Sequence, residues 1–379
     1  MVYFPEEIIK NILGRLTIEA ALPAKQVCKS WRIFLRTKTD KIGLLFVESY
    51  LKEEKNKLYY GDQYDPLLEK MNYNYSSCDR LDKVLGKSIP GYTYMNNLLG
   101  SCNGLVCIAS RYPNFEKPFL ICNPITGEVV YIPHPDTSIA QDCDPSKICG
   151  FGYCHSTNEY KIVRMHQQTP RMSHVLVYTV GGGAWRSKGS IHIPLSDSIT
   201  TPLDSAAAGT YASGALYWLF RTTNEERKDY KIVAFDLEDE KFEFIHLTHF
   251  EELRYIHSPK LLGGNNLYLL DTSQHCTQIW AYKKTNYNDK KSWRWIKEFR
   301  IYCKDAMYYE PLAITRNKEL ILRSQDYRGV SLYCYDLRTL TMNKLLDGRA
   351  SGCNMVNVIP HANSIVSILP VNDEEVQDR

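Results

Sequence analysis

The chain has 379 residues, 44% hydrophobic and 23% charged, which fits a globular protein of two or three units or one large β domain with an appendage. Its 46 basic and 43 acidic residues leave a net charge of +3, too even for the basic domain or stripe of a nucleic-acid binder. No apolar run approaches the roughly 18 residues that span a bilayer, and Met1–Glu7 lacks the basic-then-apolar order of a secretory leader.

Residues 5–35 predict three short helices. Ile8, Ile9, Ile12, Leu13 and Leu16 recur at spacings of three and four and make one apolar face. Pro5 suits the first helical position, and Glu6 and Glu7 suit the positive end of the helix dipole. Thr17 can cap a second helix carrying Ile18, Ala21, Leu22 and Val27, which Pro23 shortens or kinks. Ser30 and Trp31 lead into Ile33, Phe34 and Leu35. Three helices this small cannot bury their apolar faces against one another, so part of that surface must meet the rest of the chain or another protein.

An early strand is expected over 43–50, then a polar connection to 95. Gly86-Lys87-Ser88 within it is no phosphate loop, because the glycine required five residues before Gly86 is Leu81. From about residue 96 the texture is β: short Val-, Ile-, Tyr-, Leu- and Phe-rich runs punctuated by Gly, Asn, Asp and Pro. Five similar units follow one another. Asn123, Thr179, Asp236, Tyr282 and Asp336 mark equivalent points, separated by 56, 57, 46 and 54 residues. A period near 50 is that of kelch-like blades. One such sheet cannot bury both faces, so several must pack around an axis as a propeller, with 40–100 and 353–370 available to close a sixth. A β-sandwich is the structural alternative.

Phe4-Pro5-Glu6-Glu7-Ile8-Ile9-Lys10-Asn11-Ile12-Leu13-Gly14-Arg15-Leu16, followed by Lys25-Gln26-Val27-Cys28-Lys29-Ser30-Trp31-Arg32, resembles the F-box of plant F-box proteins that carry an F-box-associated, kelch-like interaction domain. The second half resembles that associated domain through Gly100-Ser101-Cys102-Asn103-Gly104-Leu105-Val106, Asn123-Pro124-Ile125-Thr126-Gly127, Gly150-Phe151-Gly152-Tyr153, Asn158–Val163 and Ser213–Trp218. Phe4 stands where the family has Leu, Thr17 where it has Pro, and Pro23-Ala24 where it has a basic-aromatic pair.

The resemblance implies an α+β multidomain chain: a helical F-box over 1–45, a connecting segment over 46–95, a mostly-β, propeller-like substrate-binding domain over 96–370, and an acidic tail over 371–379. It implies a substrate receptor of a Skp–cullin–F-box ubiquitin ligase, with no catalytic residues and no cofactor or metal. The partners implied are a Skp-type adaptor, through it a cullin, and a protein substrate of unknown identity, in cytoplasm or nucleus, with neither nucleic acid nor membrane. Pro5, Ile8, Ile12, Leu16, Leu22, Val27, Cys28, Lys29 and Trp31 are the residues it assigns to the adaptor face, with Arg32 at the rim. Substrate contacts are expected on loops around 109–118, 166–174, 221–230, 271–277 and 323–329.

Other chemistry fits less well. Cys143, Cys149, Cys154 and His155 lack the Cys-x-x-Cys spacing of structural zinc. The twelve cysteines are scattered and are expected to stay reduced as small apolar side chains, and the Asn74-Tyr75-Ser76 sequon then has no use. Gly181-Gly182-Gly183 reads as a hairpin turn. A binding module working outside the ligase, or a propeller enzyme or glycan binder, are the competing functions.

Overall fold

Helix α1 (Glu6–Gly14) opens one place later than expected, with Pro5 in the extended cap position. Lys10 pairs with Glu6 one turn away, and the Lys38 Nζ donates to the Gly14 carbonyl at 2.8 Å, placing a cation at the negative helix end. Thr17 caps α2 (Ile18–Ala24), its hydroxyl accepting from the Ala20 amide at 3.3 Å. That helix ends one residue after Pro23, and α3 (Lys29–Leu35) follows.

The computed structural model describes residues 5–35, 38–50, 55–61, 96–110, 118–133, 135, 148–169, 172–192, 208–224, 227–247, 259–264, 266–272, 276–285, 292–302, 309–315, 318–326, 329–347 and 355–368. Phe4, the Asn74 sequon, Gly86-Lys87-Ser88, Cys143 and the tail lie outside them.

Strands β1 (Thr39–Tyr50) and β2 (Lys55–Gly61) come next. Blade 1 is β3 (Asn96–Cys102), β4 (Leu105–Ser110), β5 (Phe119–Cys122) and β6 (Val129–Ile132). Blade 2 is β7 (Ile148–Cys154), β8 (Glu159–Thr169), β9 (Met172–Thr179) and β10 (Trp185–His192). Blade 3 is β11 (Thr210–Ala212), β12 (Ala215–Asn224), β13 (Arg227–Asp236) and β14 (Phe242–His246). Blade 4 is β15 (Pro259–Leu262), β16 (Leu267–Thr272), β17 (Cys276–Lys284) and β18 (Trp293–Tyr302). Blade 5 is β19 (Tyr309–Ile314), β20 (Glu319–Asp326), β21 (Gly329–Asp336) and β22 (Thr341–Asp347).

Each of these five blades is an antiparallel meander with its first strand innermost. The last strand, β23 (Met355–Ser364), does not start a new sheet: it pairs with β1 in the order β2-β1-β23. β23 touches β19 on one side and β3 on the other, so this three-stranded sheet closes the ring. β1 runs through residue 45, where the sequence reading ends the helical unit, and the closing sheet draws on both sides of that division.

The core lies between blades. Alternate residues of one strand serve two neighbours: Leu105, Cys107 and Ile121 pack with Phe151 and Ile162 of blade 2, while Val106, Ile108 and Leu120 pack with Leu45 and Ile359 of the closing sheet. Both faces being covered, these strands read as continuous apolar runs. Cys102, Cys107 and Cys122 are part of this filling, and burial pushes the Cys122 thiol up to about 12. Along β7 every residue is buried, and Cβ atoms at Gly150 and Gly152 would come within 2.8 Å of Trp218 and 2.6 Å of Leu237.

The turns explain the repeat. Asn123, Asp236 and Asp336 each close the third strand of a blade, and their Oδ1 atoms accept from backbone amides two and three residues on. Asn103 and Gly104, both at positive φ, form the β3–β4 hairpin. The sequence pattern displayed three strands in most units. The fourth, the innermost, is short or glycine-containing and sits where packing rather than alternation fixes it.

Two stability predictions follow from the closure. His361 on β23 is buried, with Nδ1 2.6 Å from the Ser101 hydroxyl of β3. Burial, offset in part by Asn363, holds its imidazole down at about 4. The unfolded ring, at roughly 6.5, binds a proton that the folded ring refuses, so stability is fully present above that pH and falls as pH drops towards 4, by on the order of 3 kcal/mol. Urea unfolding between pH 7 and 4 should show this slope in the wild type and lose most of it in His361→Gln; equal slopes would contradict a neutral His361. At Gly104, φ is +86° and a Cβ would fall 2.1 Å from the Ser364 Cβ. Gly104→Ala should therefore lower the unfolding free energy by about 2 kcal/mol or more in the same assay.

Candidate partner-binding faces

The helical unit has a small core of its own. Leu13, Ile18, Ala21, Ala24 and Leu35 are buried together, and Ile9, Leu16, Leu22, Trp31 and Phe34 pack half-buried against them. The sixth buried member is Ile365, from the segment that follows β23, and Ile125 of the β5–β6 turn packs on the same cluster. The unit thus meets the ring as well as solvent.

The residues expected to face an adaptor divide accordingly. Ile8 and Ile12 stand on α1 at 45% and 53% exposure, and Val27 is 64% exposed between α2 and α3. Pro5, Cys28 and Lys29 are also exposed. Leu16, Leu22 and Trp31 instead lean into the unit's core and brace the surface from behind. Ile33, 67% exposed on α3, joins the outward set. Sequence reasoning grouped it with Phe34 and Leu35 as one apolar run, although the helical period turns the three in different directions. Glu7, Ile8, Asn11, Ile12 and Arg15 line a shallow groove along α1.

The ring's exposed large apolar residues are spread thinly by contrast. Tyr131, Phe244, Ile296, Tyr302 and Met342 are distributed over the outermost strands of four different blades, and Leu340 lies in a turn.

Topology gives the ring two unlike ends. The links between first and second strands, and between third and fourth, lie at one end; those between second and third lie at the other. Lys38, Ile125 and Ile365, which join the helices to the ring, all belong to the first end. The five loop regions expected to meet a substrate are the second-to-third links of blades 1 to 5, so the chain brings them to one end, opposite the helices. The tips of these links, 111–117, 170–171, 225–226, 273–275 and 327–328, lie outside the described residues. Near that end Glu310 of β19 accepts from Lys260 of β15 at 2.7 Å and from Arg323 of β20, tying blades 4 and 5. Burial opposes ionisation of Glu310, but the two cations outweigh it and hold its carboxyl below the usual carboxylate range.

A second charged cluster sits at the helical end, between blades 2 and 3. The Glu240 carboxylate takes Lys161 at 3.0 Å, Arg186 at 2.8 Å and Lys188. Burial works against that carboxyl, yet the three donors hold it at about 2. Lys161 also donates to the Leu237 carbonyl at 2.7 Å, so every group has a structural use. His166 and His174 face each other across β8 and β9 with ring centroids 5.2 Å apart, and His174 Nε2 lies 3.1 Å from the Ser187 hydroxyl. Cys149 and Cys154 are buried at opposite ends of β7. Among the described residues no three His, Cys, Asp or Glu side chains gather as metal ligands, and no helix is long and apolar enough to cross a membrane.

Comparison with known proteins bears on both parts. A model of the F-box domain matches residues 3–42, and a model of the F-box associated beta propeller domain matches residues 70–346. The chain is 23% identical over 248 residues to the F-box/kelch-repeat protein At3g23880 of Arabidopsis thaliana, covering 63% of this chain and 64% of that one. It is 26% identical over 321 residues to the F-box protein At5g49610 of Arabidopsis thaliana, covering 79% of this chain and 80% of that one. Against the first two such relatives the chain spans 64% and 59% of their length. A solved six-bladed β-propeller, the Aleuria aurantia lectin, overlaps 68% of this chain and 80% of its own at 9% identity, with a TM-score of 0.38. With an F-box at its N-terminal end and the propeller model spanning well over half of its length, the chain belongs to the F-box associated β-propeller family.

Proposed function

We propose that the protein is the target-recognising subunit of a Skp–cullin–F-box ubiquitin ligase and catalyses nothing itself. The observation that carries this reading is the outward apolar set of Ile8, Ile12, Val27 and Ile33 on a unit whose core Ile365 already completes. Among the described residues those four side chains belong to none of the buried cores. Burial of what each still exposes is worth about 1–2 kcal/mol before association costs. F-box domains as a class dock on Skp-type adaptors, and this surface is where such an adaptor would sit. Pro5, Cys28 and Lys29 flank it, and Leu16, Leu22 and Trp31 support it.

The target would bind at the opposite end of the ring, on the second-to-third strand links, where loops on a rigid scaffold carry recognition. Separation of the two ends lets both partners bind at once. The receptor then acts by raising the local concentration of a target lysine near a charged conjugating enzyme, which is catalysis by proximity.

Capture of a Skp-type adaptor by the full chain tests the reading. Wild type should bind. Ile12→Asp combined with Val27→Asp should abolish capture while moving the melting temperature by no more than about 2 °C, because both positions are exposed. Leu13→Ala should instead cost about 2–5 kcal/mol of stability, through a cavity in the helical core. Failure of the wild type to bind, or full binding by the double variant, would defeat the proposal.

A further inference from the structure

Residues 364–368 form a strap that both halves of the molecule use. Its side chains split between them: Ile365 is buried in the helical core, while Val366 and Ile368 pack with the core of blades 1 and 2. Its backbone splits in the same way. On the helical side, Lys25 Nζ donates to the Ile365 carbonyl at 3.0 Å; between the two, the carbonyl of Lys38, just before β1, accepts from the Ile365 amide at 3.3 Å and the Ser364 hydroxyl at 3.2 Å. On the ring side, Asn123 Nδ2 donates to the carbonyls of Ser364 at 2.9 Å and Val366 at 2.8 Å. The Glu128 carboxylate accepts from the Ser367 hydroxyl at 3.0 Å and the Ile368 amide at 2.8 Å. Asn123 and Glu128 belong to the same β5–β6 turn whose Ile125 touches the helical core.

We infer that this strap is a positioning device, which fixes the angle between the helical unit and the ring. The helical unit is joined to β1 covalently through residues 36–37, and one short link would leave it free to pivot about a point. The strap adds a second attachment made of buried side chains and directed hydrogen bonds, which starts beside the link at Lys38 and reaches past it to Lys25 and the helical core. Two separated attachments remove the pivot. Ile365 is the residue that engages the helices, while Asn123 and Glu128 hold the strap from the ring side. The consequence for ubiquitin transfer rests on the receptor reading above: a target at the far end would be held at one distance from whatever the helices dock on. The lock itself does not rest on that reading.

The test is a distance distribution between spin labels carried by bio-orthogonal residues at two exposed positions, Gln26 and Asn343, in the full chain without any adaptor. Wild type should give one narrow peak. Ile365→Ser should widen the distribution at least twofold while leaving the ring's unfolding midpoint in place. Should Ile365→Ser lose its helical signal, Glu128→Ala with Ser367→Ala decides, because it removes the Glu128 bonds to Ser367 and Ile368, loosens the strap's hold on the ring and leaves Ile365 and the helices untouched; it too should widen the peak at least twofold. A broad wild-type distribution, or wild-type width in the Glu128/Ser367 variant, would overturn the lock. Neither result depends on adaptor capture, so a failed receptor reading and a failed lock give different outcomes.

Discussion

The pairing of β1 with β23 is the constraint from which the rest of the architecture follows. Leu44 stands opposite Pro360 and Leu45 opposite Ile359, so residues more than 300 positions apart share one sheet. A ring of sheets has no natural end, and every blade needs a neighbour on both faces. Blade 1 would expose Val106 and Leu120, and blade 5 would lose its partner beside β19, were the closing sheet absent. The segment leaving that pairing also completes the helical core through Ile365. One long-range contact therefore seals three cores, two in the ring and one outside it.

Much of this was legible in the residues. The Val27-Cys28-Lys29-Ser30-Trp31 string located the helical unit, and the polar residues Asn123, Asp236 and Asp336 located the blades, because each performs a local task that leaves a local mark. The inner strands left a weaker one. β11 is only Thr210-Tyr211-Ala212, and β7 carries glycines chosen for the side chains of the next blade rather than for strand alternation. Ile365 left none. Its burial is decided by helices some 340 residues earlier, and no pattern in its neighbours records that. The division of the helical unit's apolar residues into outward and inward sets was likewise decided by packing: Leu16, Leu22 and Trp31 are as apolar as Ile8, Ile12 and Val27 but do not share their exposure.

Charge is used sparingly and for the same end. The Glu240 and Glu310 clusters each join adjacent blades, and each places one carboxylate among two or three cations. Removing one partner from such a partly buried cluster costs more than breaking a surface pair, since the groups left behind are desolvated and short of a counter-charge. One cluster sits at each end of the ring.

The late position of β23 has a bearing on synthesis. The helices leave the ribosome some 340 residues before the isoleucine that fills their core. Until then the nascent chain carries an open ring and an incomplete helical unit together. A message cut short before codon 365 would accordingly yield a polypeptide whose helical core lacks its sixth buried member.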